Sequence, residues 1–216
     1  MRLYLASHNL GLYADELLKL VGEGRKALFI ENARDFLDAE KRTGDLSAKL
    51  DMLRKLGFEA EELDLRRYFG KPEELKNFIR QYQPDLVYAS GGNVFLLVTA
   101  YRLSGFDNLL RDALAKDEFV YGGFSAGVMS VCKTIKLYGH GLYVPEKVQG
   151  LYGVDAVLDG LGLIDYQIVP HADVPELLEI TKEYIKRYTE AGYEVLPLKQ
   201  DAVIIVDAHG QRILGQ

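Results

Sequence analysis

Short apolar runs alternate with longer amphipathic stretches along this chain. The apolar runs predict strands at 2–7, 26–31, 59–65, 85–90, 119–123 and 166–173, the third of them with a poorly defined period. Apolar residues at helical spacing predict helices at 13–22, 44–57, 71–82, 94–103, 126–135 and 174–192. The last apolar stretch, 202–215, predicts a hairpin that turns at "AHG".

The repeated change from strand to helix predicts the fold class. Nearly all-apolar strands that alternate with helices are typical of a mostly parallel sheet with helices on both faces, and the closing hairpin adds an antiparallel edge. No linker or shift in composition divides the chain, so we expect one domain over 1–216. Sites in such sheets form where the strands end, and three clusters lie there: "SGGN" (90–93), "GGFSAG" (122–127) and "PHAD" (170–173).

Composition and charge exclude several classes of function. The 26 basic and 32 acidic residues give a net charge of −6, which argues against nonspecific nucleic-acid binding. Cys132 is the single cysteine, so an internal disulfide is ruled out and a cysteine-based zinc site is not expected. The amino-terminal residues do not have the pattern of a signal peptide, and no run of about 18 apolar residues predicts a membrane span. We therefore expect a cytoplasmic protein without a membrane partner.

Ser125 lies in the pattern G-x-S-x-G, between Gly123 and Gly127. A predicted strand precedes it and a predicted helix follows, as in a nucleophile elbow, where a strained turn exposes a serine hydroxyl beside backbone N–H groups. A glycine-rich turn packed closely against the sheet would give the same letters. Both readings stay open on this motif alone.

A nucleophilic serine needs a base within hydrogen-bond reach. Of the four histidines, His171 follows "YQIVP" at a strand end and is the strongest candidate. His8 follows the first strand, His209 lies in the predicted hairpin turn, and His140 lies in a glycine-rich stretch, 136–160, that gives no clear prediction.

The "SGGN" cluster offers paired glycines that could aim backbone N–H groups at a developing negative charge. A tight turn before the helix at Val94 is the plain alternative. Neither glycine cluster spells G-x-G-x-x-G and no P-loop is present, so a nucleotide cofactor has little support.

Taken together and in this order, "SGGN", "GFSAG" and "LGLIDYQIVPHAD" resemble the aspartyl dipeptidase (peptidase E) and cyanophycinase family of serine peptidases. The resemblance covers most of the chain and implies a three-layer, flavodoxin-like α/β fold. It implies hydrolysis of peptide bonds in short peptides, often next to acidic residues, without metal or organic cofactor. By position it makes Ser125 the nucleophile and His171 the base, with the N–H groups of Gly92 and Ala126 as the oxyanion hole.

The third member of the triad is where this sequence departs from the family. The family's acid comes from the loop before the final hairpin, which here reads "PLKQDAVIIV" and places Gln200 at the acid position with Asp201 one residue later. We expect Asp201 to be the third member of the triad, with Gln200 as the alternative, neutral partner of His171. Asp173 could also contribute to the site, although capping the helix near Val174 is the favoured interpretation.

Two alternatives follow from this departure. The chain could be a catalytically weakened family member that binds a ligand without turning it over. A glutamine-amidotransferase-like enzyme would need a cysteine at the elbow, whereas Cys132 lies two helical turns beyond Ser125, where a core role is favoured. The sequence leaves both the substrate and the oligomeric state open, and a homodimer is compatible with it.

Overall fold

The computed structural model of the protein describes residues 1–139 and 144–216. Its nine strands are β1 (Leu3–Ala6), β2 (Lys26–Ile30), β3 (Glu59–Glu62), β4 (Leu86–Ala89), β5 (Val120–Phe124), β6 (Gln167–Val169), β7 (Val195–Pro197), β8 (Val203–Asp207) and β9 (Gly210–Leu214). Seven of them form the central sheet in the order β3-β2-β4-β5-β1-β8-β9, while β6 and β7 pair in a small parallel sheet of their own. The first five strands in that order run parallel, and the hairpin β8–β9 forms an antiparallel edge.

Helices cover both faces of the central sheet, as the alternation of strand and helix predicts. They are α1 (Ala14–Val21), α2 (Ala39–Arg54), α3 (Pro72–Tyr82), α4 (Val94–Ser104), α5 (Phe106–Ala115), α6 (Ala126–Met129), α7 (Glu146–Tyr152) and α8 (Leu178–Glu190). Successive side chains of a strand point to opposite faces. In β1, Leu3 and Leu5 therefore join the core beneath α3 to α5, whereas Tyr4 joins the core beneath α1 and α2. The three-layer α/β fold expected from the sequence is confirmed.

Two elements of the candidate site differ from the sequence prediction. The helix predicted over 126–135 ends at Met129, because the next backbone groups bond to a later segment instead of continuing the helix: Leu161 N–H donates to Ser130 and Leu163 N–H to Val131. The strand predicted over 166–173 is shortened to β6 and pairs with β7 rather than with the central sheet.

One helix differs from its predicted bounds and another had no prediction. Helix α2 begins at Ala39, five residues earlier than the predicted start, because the Asp38 side chain caps it by accepting a hydrogen bond from Lys41 N–H at 2.9 Å. The sequence prediction missed α5 altogether. His140 lies outside the described residues.

The carboxyl ends of β1, β2, β4 and β5 meet at one edge of the sheet, and the predicted clusters "SGGN" and "GGFSAG" lie there. A groove of about 700 Å³ between α3 and α5 lies at the other ends of the strands and contains none of the predicted site residues. In the part of the chain that the structure describes, no helix is long and apolar enough to cross a membrane.

Candidate active site

Ser125 lies on a sharp, strained turn between β5 and α6. Its backbone has φ 49° and ψ −106°, a conformation that costs a non-glycine residue free energy and is concentrated at functional sites. The flanking glycines make the turn sterically feasible: a Cβ at Gly127 would lie 2.6 Å from the Ala89 carbonyl oxygen, and one at Gly123 would lie 3.0 Å from the Gly127 Cα. The sequence pattern therefore corresponds to a real strand-to-helix elbow with serine at its apex.

The "SGGN" cluster forms the neighbouring turn, between β4 and α4. Gly92 has φ 141°, and a Cβ there would lie 2.4 Å from the Ala33 carbonyl oxygen, so this position requires glycine. A Cβ on Gly91 would lie 3.0 Å from the Cβ of Ser125, which places this turn directly beside the elbow. The Asn93 side chain ends the turn by accepting hydrogen bonds from the first backbone N–H groups of α4.

Several backbone donors beside Ser125 have no acceptor among the described residues. The N–H groups of Gly92 and Ala126 are among them, and Ala126 is the first residue of α6, where helical N–H groups lack intrahelical partners. The two turns are joined by a hydrogen bond from Gly127 N–H to the Ser90 carbonyl at 3.1 Å. Free donors on two rigid, linked turns can bind an oxyanion that develops next to the serine.

His171 follows β6 and also has a left-handed backbone, with φ 62°. Its Nδ1 lies 2.5 Å from Oε1 of Gln200, in the loop after β7. An amide oxygen only accepts, so Nδ1 carries the proton and Nε2 is left free to take one. Burial lowers the pKa of His171 below its ordinary value, although the Gln200 hydrogen bond and the Asp173 charge act in the opposite direction. Burial thus favours the neutral imidazole, the form in which a histidine can accept a proton.

Ser7 joins the elbow to the histidine loop. This buried residue follows β1; its carbonyl oxygen accepts a hydrogen bond from Ser125 N–H at 3.2 Å, and its hydroxyl oxygen accepts one from His171 N–H at 2.8 Å. No hydrogen bond joins the Ser125 hydroxyl to His171 within the described ranges. Such catalytic contacts are often long before substrate binds, so the shared anchor on Ser7 is the informative link.

The acidic residues near His171 have separate positions. Asp201 is exposed, and none of the hydrogen bonds of the described residues joins its carboxylate to His171; burial lowers the pKa of His8, and the Asp201 charge opposes that shift only in part. Asp173 does not cap a helix, so that prediction is wrong: its Oδ1 accepts a hydrogen bond from Gln200 N–H at 2.6 Å, and Val174 stands at the start of the following helical turn. Gln200 is thus held at its backbone by Asp173 and reaches His171 with its side chain.

A second histidine lies at the site. The His8 ring is 6.1 Å from the His171 ring and 6.2 Å from the ring of Phe124, the residue before the elbow serine. Burial is the largest cause that lowers the pKa of His8, followed by His171 and Lys49. His209, by contrast, lies in the β8–β9 turn, as the sequence predicts.

Sequence reasoning missed the charged residues that surround the elbow. The Lys49 ammonium lies 5.1 Å above the Phe124 ring, and the Arg34 Nε donates to the Gly91 carbonyl at 3.2 Å. Glu31 follows β2 and is fully buried, and neither of its carboxylate oxygens has a hydrogen-bond partner among the described residues. Of these three, only Glu31 carries a sequence signal, because it is a charged residue directly after a buried apolar strand.

A strained serine on the turn after a central strand, with free backbone donors beside it and a histidine on an adjoining loop, is the arrangement expected of a hydrolase with a serine nucleophile. The chain belongs to peptidase family S51, whose family model matches residues 5–214. It is therefore a serine-type peptidase, and the family expected from its motifs is confirmed.

Two curated relatives are both called "Uncharacterized peptidase". The one from Listeria innocua is 26% identical over 197 residues, which cover 88% of each chain. The one from Listeria monocytogenes is 27% identical over 184 residues, which cover 85% of this chain and 83% of the relative.

Solved structures share the fold. The crystal structure of a "Putative Peptidase E Protein" from Listeria monocytogenes superposes with a TM-score of 0.74 at 24% identity, covering 98% of this chain and 96% of the other. A peptidase from an acI-B1 actinobacterium superposes with a TM-score of 0.70 at 14% identity, covering 100% of this chain and 87% of the other.

Proposed function

We propose that the protein hydrolyses peptide bonds of short peptides, with Ser125 as the nucleophile and His171 as the general base. The observation that carries the proposal is the left-handed backbone of Ser125 at the elbow, which a serine would not adopt without a compensating role. The neutral His171 on the loop that Ser7 ties to the same elbow supplies the proton acceptor.

The reaction begins when the Ser125 hydroxyl attacks the peptide carbonyl carbon and its proton passes to Nε2 of His171. The carbonyl oxygen becomes an oxyanion, which accepts hydrogen bonds from the N–H groups of Gly92 and Ala126. His171 then returns the proton to the leaving amine, and the C–N bond breaks to leave an acyl-enzyme. A water molecule, deprotonated by His171, hydrolyses this ester and restores Ser125.

We assign the orienting role to Gln200 in preference to Asp201. The amide oxygen of Gln200 contacts Nδ1 of His171, whereas Asp201 is exposed and acts on His8. A neutral partner fixes the tautomer but stabilises the imidazolium less than a carboxylate does. Because Gln200 is neutral, we expect slower turnover than in an enzyme whose triad contains a carboxylate.

The preference for peptides with an acidic residue at the scissile bond is supported by a cation next to the elbow. The Lys49 ammonium stands over the ring of Phe124, the residue before Ser125. A substrate carboxylate bound to Lys49 would exchange water for charge-assisted hydrogen bonds.

The neutral Gln200 also supports one alternative function, in which the protein binds a peptide without turning it over. A fluorophosphonate that labels activated serines separates the two functions. Covalent labelling of native protein, blocked in Ser125→Ala and preserved in Ser47→Ala on the exposed surface of α2, supports the peptidase. Absence of labelling over long exposure, with retained peptide binding, supports the alternative.

Hydrolysis itself is tested on a dipeptide panel that pairs substrates carrying aspartate at the cleaved bond with matched ones carrying asparagine. We expect Ser125→Ala and His171→Ala each to lower kcat by at least about 10³-fold, since triad members act as a unit. Unchanged hydrolysis by Ser125→Ala would remove that serine from the mechanism. Equal rates on aspartate and asparagine substrates would remove the acidic preference alone.

A further inference from the structure

The turn that carries Gly92 is anchored on both sides of that residue. On one side, the Gly91 carbonyl accepts a hydrogen bond from Arg34 Nε at 3.2 Å. On the other, Asn93 N–H donates to the Ala33 carbonyl at 2.8 Å. Both anchors belong to one short helical turn, Asn32–Arg34, which directly follows β2 and Glu31. The orientation of the Gly91–Gly92 peptide is therefore set from this segment.

Peptide planarity converts the Arg34 contact into control of the oxyanion hole. In a trans peptide unit the carbonyl and the N–H point in opposite directions. When Arg34 holds the Gly91 carbonyl on its own side, the N–H of Gly92 must face the other way. Since Gly92 is a glycine at φ 141°, its backbone has little intrinsic preference, and without the anchor this peptide could rotate.

Arg34 is itself held by two carboxylates. Its Nη1 donates to Asp45 on α2 at 2.5 Å, and its Nε lies 3.7 Å from a carboxylate oxygen of the fully buried Glu31. The Arg34 side chain is 30% exposed, so it is largely enclosed by its neighbours. The guanidinium is planar and its donors have fixed directions, so anchoring it at Asp45 also sets the direction of the Nε–H bond toward Gly91.

We propose that Arg34 is a positioning residue for the oxyanion hole: by fixing the Gly91 carbonyl, it aims the Gly92 N–H at the carbonyl oxygen of the substrate. This rests on the proposed hydrolysis at Ser125 and extends it by naming the side chain that orders a backbone donor. The role acts on the transition state, because the oxyanion forms there and not in the bound peptide.

The test compares Arg34→Met with Arg111→Met. Arg111 is the matched control: it also donates to a loop carbonyl, that of Leu161, and is 40% exposed, but it lies on α5 away from the elbow. Losing one oxyanion donor outright costs on the order of 10²–10³-fold in rate. Because Arg34→Met loosens a donor and does not delete it, we expect kcat to fall about 10- to 100-fold with KM within about twofold, and no change in Arg111→Met.

Three readouts separate positioning from mere folding. Affinity for a peptide aldehyde, which forms a tetrahedral adduct with the serine, should fall in parallel with kcat, while affinity for the corresponding product acid should stay constant. Arg34→Lys, which keeps one donor and the charge, should recover part of the loss. Asp45→Asn, a surface change on α2, should show a smaller loss of kcat and of aldehyde affinity. This variant tests the proposal if Arg34→Met does not fold.

Each outcome decides the proposal. If folded Arg34→Met keeps kcat and aldehyde affinity within twofold, the proposal is wrong. If its loss appears in KM and only on acidic substrates, Arg34 binds substrate directly and the proposal is again wrong. If Ser125→Ala is as active as the native protein, the proposed function itself fails, whereas inactive Ser125→Ala together with normal Arg34→Met overturns the positioning role alone.

Discussion

The neutral side chain that contacts His171 is Gln200, and replacing it by glutamate tests the role proposed for it. Glutamate has the same length and can place a carboxylate oxygen where the amide oxygen now lies, 2.5 Å from Nδ1. The histidine tautomer is unchanged, since both groups accept from Nδ1–H. What changes is the charge that faces the imidazolium during the reaction.

The size of the effect follows from the two kinds of hydrogen bond. A neutral bond contributes about 0.5–1.5 kcal/mol net and one to a charged group about 1.5–3 kcal/mol, so the midpoints differ by about 1.3 kcal/mol. That amount corresponds to about tenfold in rate and about one unit in pKa. The Asp173 carboxylate, which binds the backbone of residue 200, repels the new charge and makes these figures upper values.

Gln200→Glu should therefore raise kcat up to about tenfold and move the acid limb of the pH–rate profile upward by up to about one unit. The sign is fixed by the His171 base: burial now holds its pKa below the ordinary value, and a carboxylate raises it, so protonation removes activity at a higher pH than in the native protein. The kcat of Gln200→Glu should therefore exceed the native kcat most at neutral and alkaline pH and least at acidic pH.

The assay measures kcat and kcat/KM against pH on one dipeptide for Gln200→Glu, Gln200→Met and Asp201→Asn. Gln200→Met removes the acceptor while keeping the volume, and should lower kcat on the order of 10²-fold, within the 10⁴-fold limit known for a lost orienting group. Asp201→Asn should stay within twofold. If both Gln200 variants keep the native rate and acid limb while Asp201→Asn loses activity, Asp201 orients the histidine and the reasoning from the 2.5 Å contact is refuted.

Three further predictions concern the framework around the site. Burial raises the pKa of Glu31 to about 7 from 4.5, so about 3 kcal/mol of stability is lost as pH rises through that window to pH 8; Glu31→Gln should remove this pH-dependent loss in urea unfolding, and equal pH dependence in both proteins would contradict it. Gly92→Ala should destabilise by at least about 2 kcal/mol, because it adds a Cβ 2.4 Å from the Ala33 carbonyl at a positive φ, and a native unfolding midpoint would refute the assigned backbone. Ser7→Ala should lower kcat more than it raises KM, because His171 N–H loses its acceptor, and an unchanged kcat would show that this anchor is dispensable.

Local patterns in the sequence were sufficient to predict the buried strands of the central sheet and the strand-to-helix turn at Ser125. The runs at β1, β2, β4 and β5 are apolar because these strands are buried, so their composition reveals them directly. The glycines around Ser125 and at Gly92 reflect steric limits that no other residue meets. Features imposed by the backbone of one short segment can be predicted from that segment.

Features that depend on distant pairing could not be predicted in the same way. The run before His171 has the composition of a buried strand, but nothing in it indicates that its partner is β7 in a separate sheet. The hydrogen bond from His171 to Ser7 spans 164 residues of sequence. Likewise, the choice between Gln200 and Asp201 depends on which of two adjacent side chains turns toward the ring, and composition does not encode that direction.

This difference has a functional consequence, because the site is built from two parts with separate supports. The elbow and the turn that carries Gly92 belong to the central sheet, where Gly127 N–H donates to the Ser90 carbonyl. The proposed base His171 and its partner Gln200 belong to loops of the small β6–β7 sheet, and His171 is anchored at Ser7. A change of the orienting residue therefore alters the proton chemistry of His171 without moving the nucleophile. We therefore expect exchange between glutamine and glutamate at position 200 to change the rate and the pH dependence, while the Gly92 and Ala126 donors and the strained Ser125 stay in place.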